Sequence, residues 1–281
     1  MHFVTQPASN YTVSDLVTTL NHGFEEYSIP IQFTNSMFLN MLHKDGIDLA
    51  ASRVLLVDNK PSGIALIAPR GARRVSRLAA MGIAKEIRGK GAGSWFMKGL
   101  IDEACKRGDK EMVLEVIEQN EPAVRLYRKY GFESVRRLVG YTCKSKDITE
   151  NEKGELQQID LREMSQLISH YGLPDLPWQL SGESIVQMKP PAHAYRRGPA
   201  YIVTSNPEAQ HVVIWSLLVE PQARGYGLAS EMLKRILASY AGKTWHVPAL
   251  CPEELGTIFE RAGFEKETLS QWQMKRDLQN V

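Results

Sequence analysis

Short apolar runs alternate with stretches of helical periodicity along the chain, and the order in which they come occurs twice. His2 to Thr5 predicts a short strand, Val13 to Gly23 a helix and Ser36 to Leu42 a second helical stretch. Arg53 to Val57 and Gly63 to Ala68 flank the turn-like Asp58-Asn59-Lys60-Pro61 and predict a hairpin. Arg77 to Ile83 predicts a strand that leads into the glycine turn Arg88-Gly89-Lys90-Gly91-Ala92-Gly93. Helix Ala92 to Arg107, strand Met112 to Ile117, helix Pro122 to Tyr130 and closing strands within Phe132 to Lys144 complete this series. Between Ser145 and Gly154 the periodicity is lost to charged residues, as in a linker. The order then returns: a strand near Leu156 to Ile159, a helix to about His170, strands near Tyr195 and at Tyr201 to Thr204, and a strand from His211 to Val219. A second glycine turn, Arg224-Gly225-Tyr226-Gly227-Leu228-Ala229, is followed by a helix, a short strand and a helix ending at Gly263-Phe264.

The two series are copies. Adding 136 maps Arg88, Gly91 and Gly93 onto Arg224, Gly227 and Ala229, and maps Ala92, Phe96, Met97, Leu100, Ile101 and Ala104 onto Leu228, Met232, Leu233, Ile236, Leu237 and Tyr240. The apolar face of the helix is thus reproduced position by position. Gly131-Phe132 and Gly263-Phe264 match at an offset of 132, so the second copy has lost four residues in between. The expected layout is a first domain at 1–144, a linker at 145–154 and a second domain at 155–281. A chain of 281 residues is long enough for two cores.

Composition narrows the classes. A net charge of +2 lacks the basic excess of a dedicated nucleic-acid binder. There are 20 basic and 15 acidic residues up to Lys144, against 14 and 17 after it. That asymmetry suits an anionic ligand in the first half and suits an ordinary solvated surface equally. Cys105, Cys143 and Cys251 are too few and too scattered for a disulfide framework or a metal clamp, and the histidines have no zinc-site spacing. No apolar run approaches the ~18 residues of a membrane span, and no signal-like segment opens the chain. A cytoplasmic protein with no metal, no membrane partner and no nucleic acid is expected.

A strand, a glycine turn and a helix form a cradle for an anion: the turn lets backbone N–H groups close around phosphate oxygens, and the helix dipole points its positive end there. No G-x-x-x-x-G-K-[ST] is present, and no glycine turn opens the chain with an acid about 20 residues on. What remains is R-x-x-G-x-[GA] between strand and helix, followed by Asn120-Glu121-Pro122-Ala123-Val124-Arg125-Leu126-Tyr127-Arg128-Lys129-Tyr130-Gly131-Phe132. Together these segments resemble the Gcn5-related N-acetyltransferase (GNAT) family, over Met81 to Gly93 and Leu114 to Phe132 in the first half and over Leu217 to Ala229 and Phe259 to Phe264 in the second. The resemblance implies an α/β mixed-sheet fold in two tandem copies, each sheet splaying after its fourth strand to admit acetyl-coenzyme A. It implies that Met81, Gly82 and Ile83 pair with the pantetheine arm and that Arg88, Gly89, Lys90, Gly91, Ala92, Gly93 and Ser94 bind the pyrophosphate. Asn120 would help fix the arm, and Tyr127 would stand beside the thioester sulfur.

Attack of an amine on a thioester needs a proton for the departing thiolate and a base for the proton the amine loses. A phenol of pKa ~10 suits the first task. Glu115, a carboxylate in the apolar run Leu114-Glu115-Val116, suits the second, because burial among apolar neighbours makes a carboxylate a base near neutral pH. The Glu115 and Tyr127 spacing is similar to the ribosomal-protein alanine acetyltransferase branch of the family, where these positions are base and acid. Plainer roles stay open: Tyr127 as a packed helix residue, Glu115 as a solvated or structural carboxylate, Arg88 and Lys90 as phosphate ligands through side chains or mainly through backbone. Trp95-Phe96-Met97 reads as core packing.

In the second half, the offset of 132 puts Phe259 at the Tyr127 position, Pro252 at Asn120 and Val247 at Glu115. Its glycine turn keeps a second coenzyme site open at Leu218, Val219, Arg224, Gly225, Gly227 and Ala229, in a domain expected to be catalytically inert. Tandem domains with one active half resemble the arrangement in mycothiol synthase. The acceptor is expected to be a primary amine, of a small molecule or a peptide, held near Phe24 to Phe33 and Arg136 to Tyr141, with Glu25, Glu26 and Tyr27 as acids and ring available to a cation. The alternative from another class is a non-catalytic acyl-coenzyme A binding or sensing protein.

Overall fold

The computed structural model describes residues 1–26, 32–144 and 156–279. Two compact units emerge: Met1–Val135 together with the residues from Trp272 on, and Arg136–Gln271. The expected linker Ser145 to Gly154 lies outside the described residues, as does Tyr27.

In the first unit the elements are β1 (Phe3–Pro7), α1 (Val13–Gly23), α2 (Asn35–Asp45), β2 (Asp48–Val57), β3 (Lys60–Arg70), β4 (Val75–Ile83), α3 (Ala92–Arg107), β5 (Glu111–Ile117) and α4 (Glu121–Lys129). Each starts where the sequence supplies a local cause. The Thr12 hydroxyl and Asp15 form a reciprocal capping box for α1, and Thr34 caps α2. The β2–β3 hairpin turns on Asp58 and Asn59 at φ of 49° and 65°, the mirror-image turn whose twist matches two antiparallel strands. In α3, Ala92, Phe96, Met97, Leu100, Ile101 and Ala104 are buried, the face that the periodicity predicts. Removing a ring such as Phe96 from this core costs about 3–5 kcal/mol. Trp95 departs from its expected place in the core: it is 42% exposed and meets the Phe3 ring at 5.6 Å.

The second unit contains most of β6 (Glu133–Lys144), then β7 (Gln157–Ile159), α5 (Leu161–Tyr171), α6 (Gly182–Ile185), β8 (His193–Arg197), β9 (Ala200–Thr204), β10 (His211–Val219), α7 (Leu228–Ser239), β11 (Thr244–Pro252), α8 (Gly256–Arg261) and the first part of β12 (Glu265–Asp277). Its core gathers Met232, Leu233, Ile236 and Leu237 of α7 around Trp245, Val247 and Ile214.

Strand order repeats as the elements do. Within the first unit the strands run in the order β1-β2-β3-β4-β5-β12, and within the second in the order β7-β8-β9-β10-β11-β6. Neighbours among β1 to β4 and among β7 to β10 are antiparallel, whereas β4/β5 and β10/β11 are parallel. The sixth place in each sheet belongs to the last strand of the other half of the sequence. From Arg136 on, β6 lies in the second unit, where Val139 and Tyr141 join the core; from Trp272 on, β12 lies in the first unit, where Met274 and, just past the strand, Leu278 do the same. The division by structure therefore differs from the expected break at 144 and 155. The expected closing strands of Phe132 to Lys144 are one long strand, and β12 follows the helix with which the predicted series ended.

Candidate active site

The first sheet opens where the coenzyme is expected. Parallel pairing of β4 with β5 runs from Val75↔Glu111 to Leu78↔Leu114 and stops. Beyond it, Met81, Gly82 and Ile83 pair with Ala65, Ile64 and Gly63 of β3 on their other side. The glycine turn follows, with Gly89 at φ 74° and Gly91 at φ 85°, backbone states that side chains other than glycine rarely hold. Gly91 is the N-cap of α3 and supplies no side chain to bond the first amides of the helix, which an anion can therefore approach. The second unit repeats this: β10 and β11 pair only from His211↔Thr244 to Val213↔His246, and Gly225 and Gly227 stand at φ 85° and 78° before α7.

The arginine that opens each turn does structural work. Arg88 donates from Nε to the Ile83 carbonyl at 2.9 Å and from Nη2 to the Gly23 and Glu25 carbonyls at 3.1 and 2.9 Å. Arg224 donates to the Val219 carbonyl at 3.0 Å and to that of Tyr171. In both units the guanidinium ties the end of the first helix to the end of the fourth strand. Its side chain is thus committed, and its backbone amide donates to the Lys85 carbonyl at 3.2 Å, so Arg88 is occupied within the fold through both. Lys90 is exposed beside the turn. At Ser94 the hydroxyl meets Lys129 Nζ at 3.2 Å and the carbonyl accepts from the Tyr130 hydroxyl at 2.7 Å, so Lys129 brings an ammonium to the first turn of α3. Nothing in the local pattern around Lys129 signals this contact, which joins residues 35 apart in sequence.

Gly82 has a second task. A Cβ built on it would lie 3.1 Å from the Gly23 Cα, and one on Gly23 would lie 2.7 Å from the Gly82 carbonyl carbon. The end of α1 therefore rests backbone to backbone on β4. Asn120 is the N-cap of α4, its side-chain oxygen accepting from the Ala123 amide at 3.3 Å.

Tyr127 is buried on α4, its ring 5.8 Å from that of Phe132. Glu115, the first residue of β5 past the last β4 pair, is buried as well, but not alone. Its Oε2 accepts from Arg77 Nε at 2.7 Å, and Arg77 Nη1 reaches Asp45 Oδ2 at 3.0 Å, with side-chain exposures of 3%, 6% and 11% for Glu115, Arg77 and Asp45. Burial works to lower the Arg77 pKa, but Glu115 and Asp45 outweigh it and hold it above the usual arginine value. The sequence reading expected a carboxylate isolated among apolar neighbours; the apolar neighbours are present, and so is a charge partner 38 residues away in sequence. Of the acids expected to attract an amine, Glu26 is ion-paired to Lys85. Of the stretch expected to hold the acceptor, Phe33 is tied to α1 by Asn21, whose side-chain amide donates to the Phe33 carbonyl at 3.0 Å and accepts from its N–H at 2.8 Å.

Residues 18–132 match the acetyltransferase (GNAT) family. That stretch is where the chain is similar to the family. The chain is 33% identical over 78 residues to N-alpha-acetyltransferase 30 of Schizosaccharomyces pombe, a stretch that takes in 28% of this chain and 52% of that protein. The chain thus spans about half the length of this curated relative. Among solved structures, a GCN5-related N-acetyltransferase of Sphaerobacter thermophilus superimposes at a TM-score of 0.70 with 14% identity, over 98% of this chain and 96% of that one. A tandem GNAT protein from the clavulanic acid biosynthesis pathway does so at 0.65 with 12% identity, over 100% and 99%. At such identities the likeness is one of fold, and the fold over the whole chain is that of a tandem GNAT protein.

The second GNAT fold departs from the first where the expected chemistry lies. Phe259 occupies the Tyr127 position and keeps its ring contact, 5.6 Å from Phe264, with Tyr141 stacked on it at 5.5 Å. Strand register corrects one equivalence: because His211↔Thr244 answers to Val75↔Glu111, Pro248 and not Val247 stands at the Glu115 position. Three of the four lost residues precede β11 and one follows it. The second sheet opening holds a cavity of about 450 Å³, whose walls include Leu218, Val219, Arg224, Gly225, Gly227 and Ala229, the residues of the expected second coenzyme site. Cys251 also lines it, and burial pushes its thiol up to about 12. Among the described residues no group of three or more His, Cys, Asp or Glu side chains is arranged to hold a metal, and no helix is long and apolar enough to cross a membrane.

Proposed function

We propose that the first unit transfers an acetyl group from acetyl-coenzyme A to a primary amine by direct attack. The observation that carries this reading is the end of β4/β5 pairing at Leu78↔Leu114, with Glu115 the next residue of β5 and β4 running on alone towards the uncapped glycine turn. The residues suit the substrate: Met81 to Ile83 offer an extended backbone edge on the open side, and a Cβ built on Gly89 or Gly91 meets nothing within 4 Å, so the outer face of the turn has room for a pyrophosphate. Lys129 adds a positive charge at the same helix end.

In the reaction a neutral amine forms a bond to the thioester carbonyl carbon, and the C–S bond breaks. Tyr127 gives its phenolic proton to the departing thiolate, and Glu115 takes the proton lost by the amine nitrogen. Arg77 fixes the direction of the Glu115 carboxylate and ties it, through Asp45, to the end of α2 on the acceptor side. The same ion pair favours the rival reading, a non-catalytic acyl-coenzyme A binding protein, because it gives Glu115 a structural occupation. Purified protein assayed for free thiol against a panel of amines, peptides and aminoglycosides decides between them. Amine-dependent thiol release supports the enzyme, and tight acetyl-coenzyme A binding with no release from any amine supports the binding protein.

A further inference from the structure

The two sheet openings are built alike and filled differently. In the first unit, Gly23 and Gly82 bring α1 onto β4 backbone to backbone. In the second, Leu218 stands where Gly82 does and puts a side chain into the wall of the opening. The cavity of about 450 Å³ continues from the turn, at Gly225, Gly227 and Ser230, to a part walled by Ile168, Leu176, Leu180 and Trp215. That volume falls within the range of small-molecule sites. One part offers backbone amides at a helix N-terminus, the other only apolar surface, and a ligand matching both is anionic at one end and hydrocarbon at the other. The wall contains no carboxylate and no histidine, so nothing of that kind in it can take a proton from an amine.

We propose that the second unit binds, without reacting it, an acyl-coenzyme A thioester whose acyl chain is longer than acetyl, with the phosphates on the amides of Gly225 to Ser230 and the chain among Ile168, Leu176, Leu180 and Trp215. The inference rests on the coenzyme reading of the glycine turns given above. It assigns the second half a ligand of its own instead of a scaffold's role.

The test is hydrogen exchange and calorimetry on the full chain, with acetyl-coenzyme A, octanoyl-coenzyme A and octanoate as probes. Each methylene moved into an apolar wall is worth about fourfold in affinity. Octanoyl-coenzyme A should bind at least about tenfold more tightly than acetyl-coenzyme A and protect residues 214–230, while acetyl-coenzyme A protects residues 81–94. Leu217→Trp, which fills the cavity from β10, should remove the chain-length preference and leave protection of 81–94 by acetyl-coenzyme A intact. Because exchange is read on the unmodified chain as well, a variant that fails to fold does not decide the matter. Equal affinity for the two thioesters, protection of 81–94 alone by octanoyl-coenzyme A, or octanoate binding as tightly as its thioester would overturn the proposal. If neither thioester protects either glycine turn, the coenzyme reading itself fails, an outcome distinct from failure of the second site alone.

Discussion

The first unit carries a buried Asp45–Arg77–Glu115 chain of charges at its sheet opening, and the second carries apolar residues and a cavity. By strand position, Val213 answers to Arg77 and Pro248 to Glu115. Both units keep the glycine turn, the arginine that ties helix to strand, and the aromatic pair of α4 or α8 with the residue after Gly131 or Gly263. What is shared is the apparatus that shapes an opening and leaves the first helix amides without a side-chain cap; what differs is the set of side chains proposed to move protons. A domain that loses its charges loses the obligation to satisfy them, and apolar residues can then line the opening at no electrostatic cost.

The comparison breaks most sharply at Arg77. Arg77→Ala leaves two buried carboxylates without their shared cation and should destabilise the protein by about 3–5 kcal/mol in denaturant unfolding. Val213→Ala should cost far less, about 0.5–1.5 kcal/mol for a part-buried side chain. Replacing Asp45, Arg77 and Glu115 together by leucine, which makes the first opening resemble the second, should recover most of the loss. Equal costs for Arg77→Ala and Val213→Ala would show that the charge chain does not distinguish the units.

A smaller effect is expected at the first turn. Gly91 sits at φ 85° with open space where its Cβ would lie, so Gly91→Val strains the backbone without a clash inside the protein. The strain is on the order of 1–3 kcal/mol, and the displaced amides should weaken acetyl-coenzyme A binding by roughly tenfold or more in calorimetry. Unchanged affinity would remove the turn from the coenzyme site. The mildest prediction concerns Cys251. Burial raises its pKa to about 12, so the thiol stays protonated at pH 8 and should resist iodoacetamide in the folded chain long after Cys105 has reacted. Alkylation of both at one rate would mean that the second cavity admits water freely.

Much of this was legible in the residues. The buried face of α3 repeats in α7 at a fixed offset, and both turns announce themselves by glycine spacing. The exchange of β6 and β12 was not. These strands match each other at the same offset of 132, so similarity between copies says where a strand belongs in a sheet but not in which sheet. β12 carries no apolar strand signature, because Glu265–Asp277 is mostly polar, with Leu269, Trp272 and Met274 its only large apolar residues. Arg77 opens a strand pattern, and its partners Asp45 and Glu115 lie 32 and 38 residues away, beyond any local pattern. Pro248 took the Glu115 position through a gap that only strand register divides into three residues and one.

The central claim is that proton transfer belongs to the first unit alone, and the direct test is turnover of one verified amine by Tyr127→Phe and by the double variant Tyr127→Phe/Phe259→Tyr. The account predicts a loss of roughly ten- to a thousandfold for Tyr127→Phe at nearly unchanged acetyl-coenzyme A affinity, with no recovery when the hydroxyl is placed on the second unit. Full turnover by Tyr127→Phe, or its return in the double variant, would contradict it.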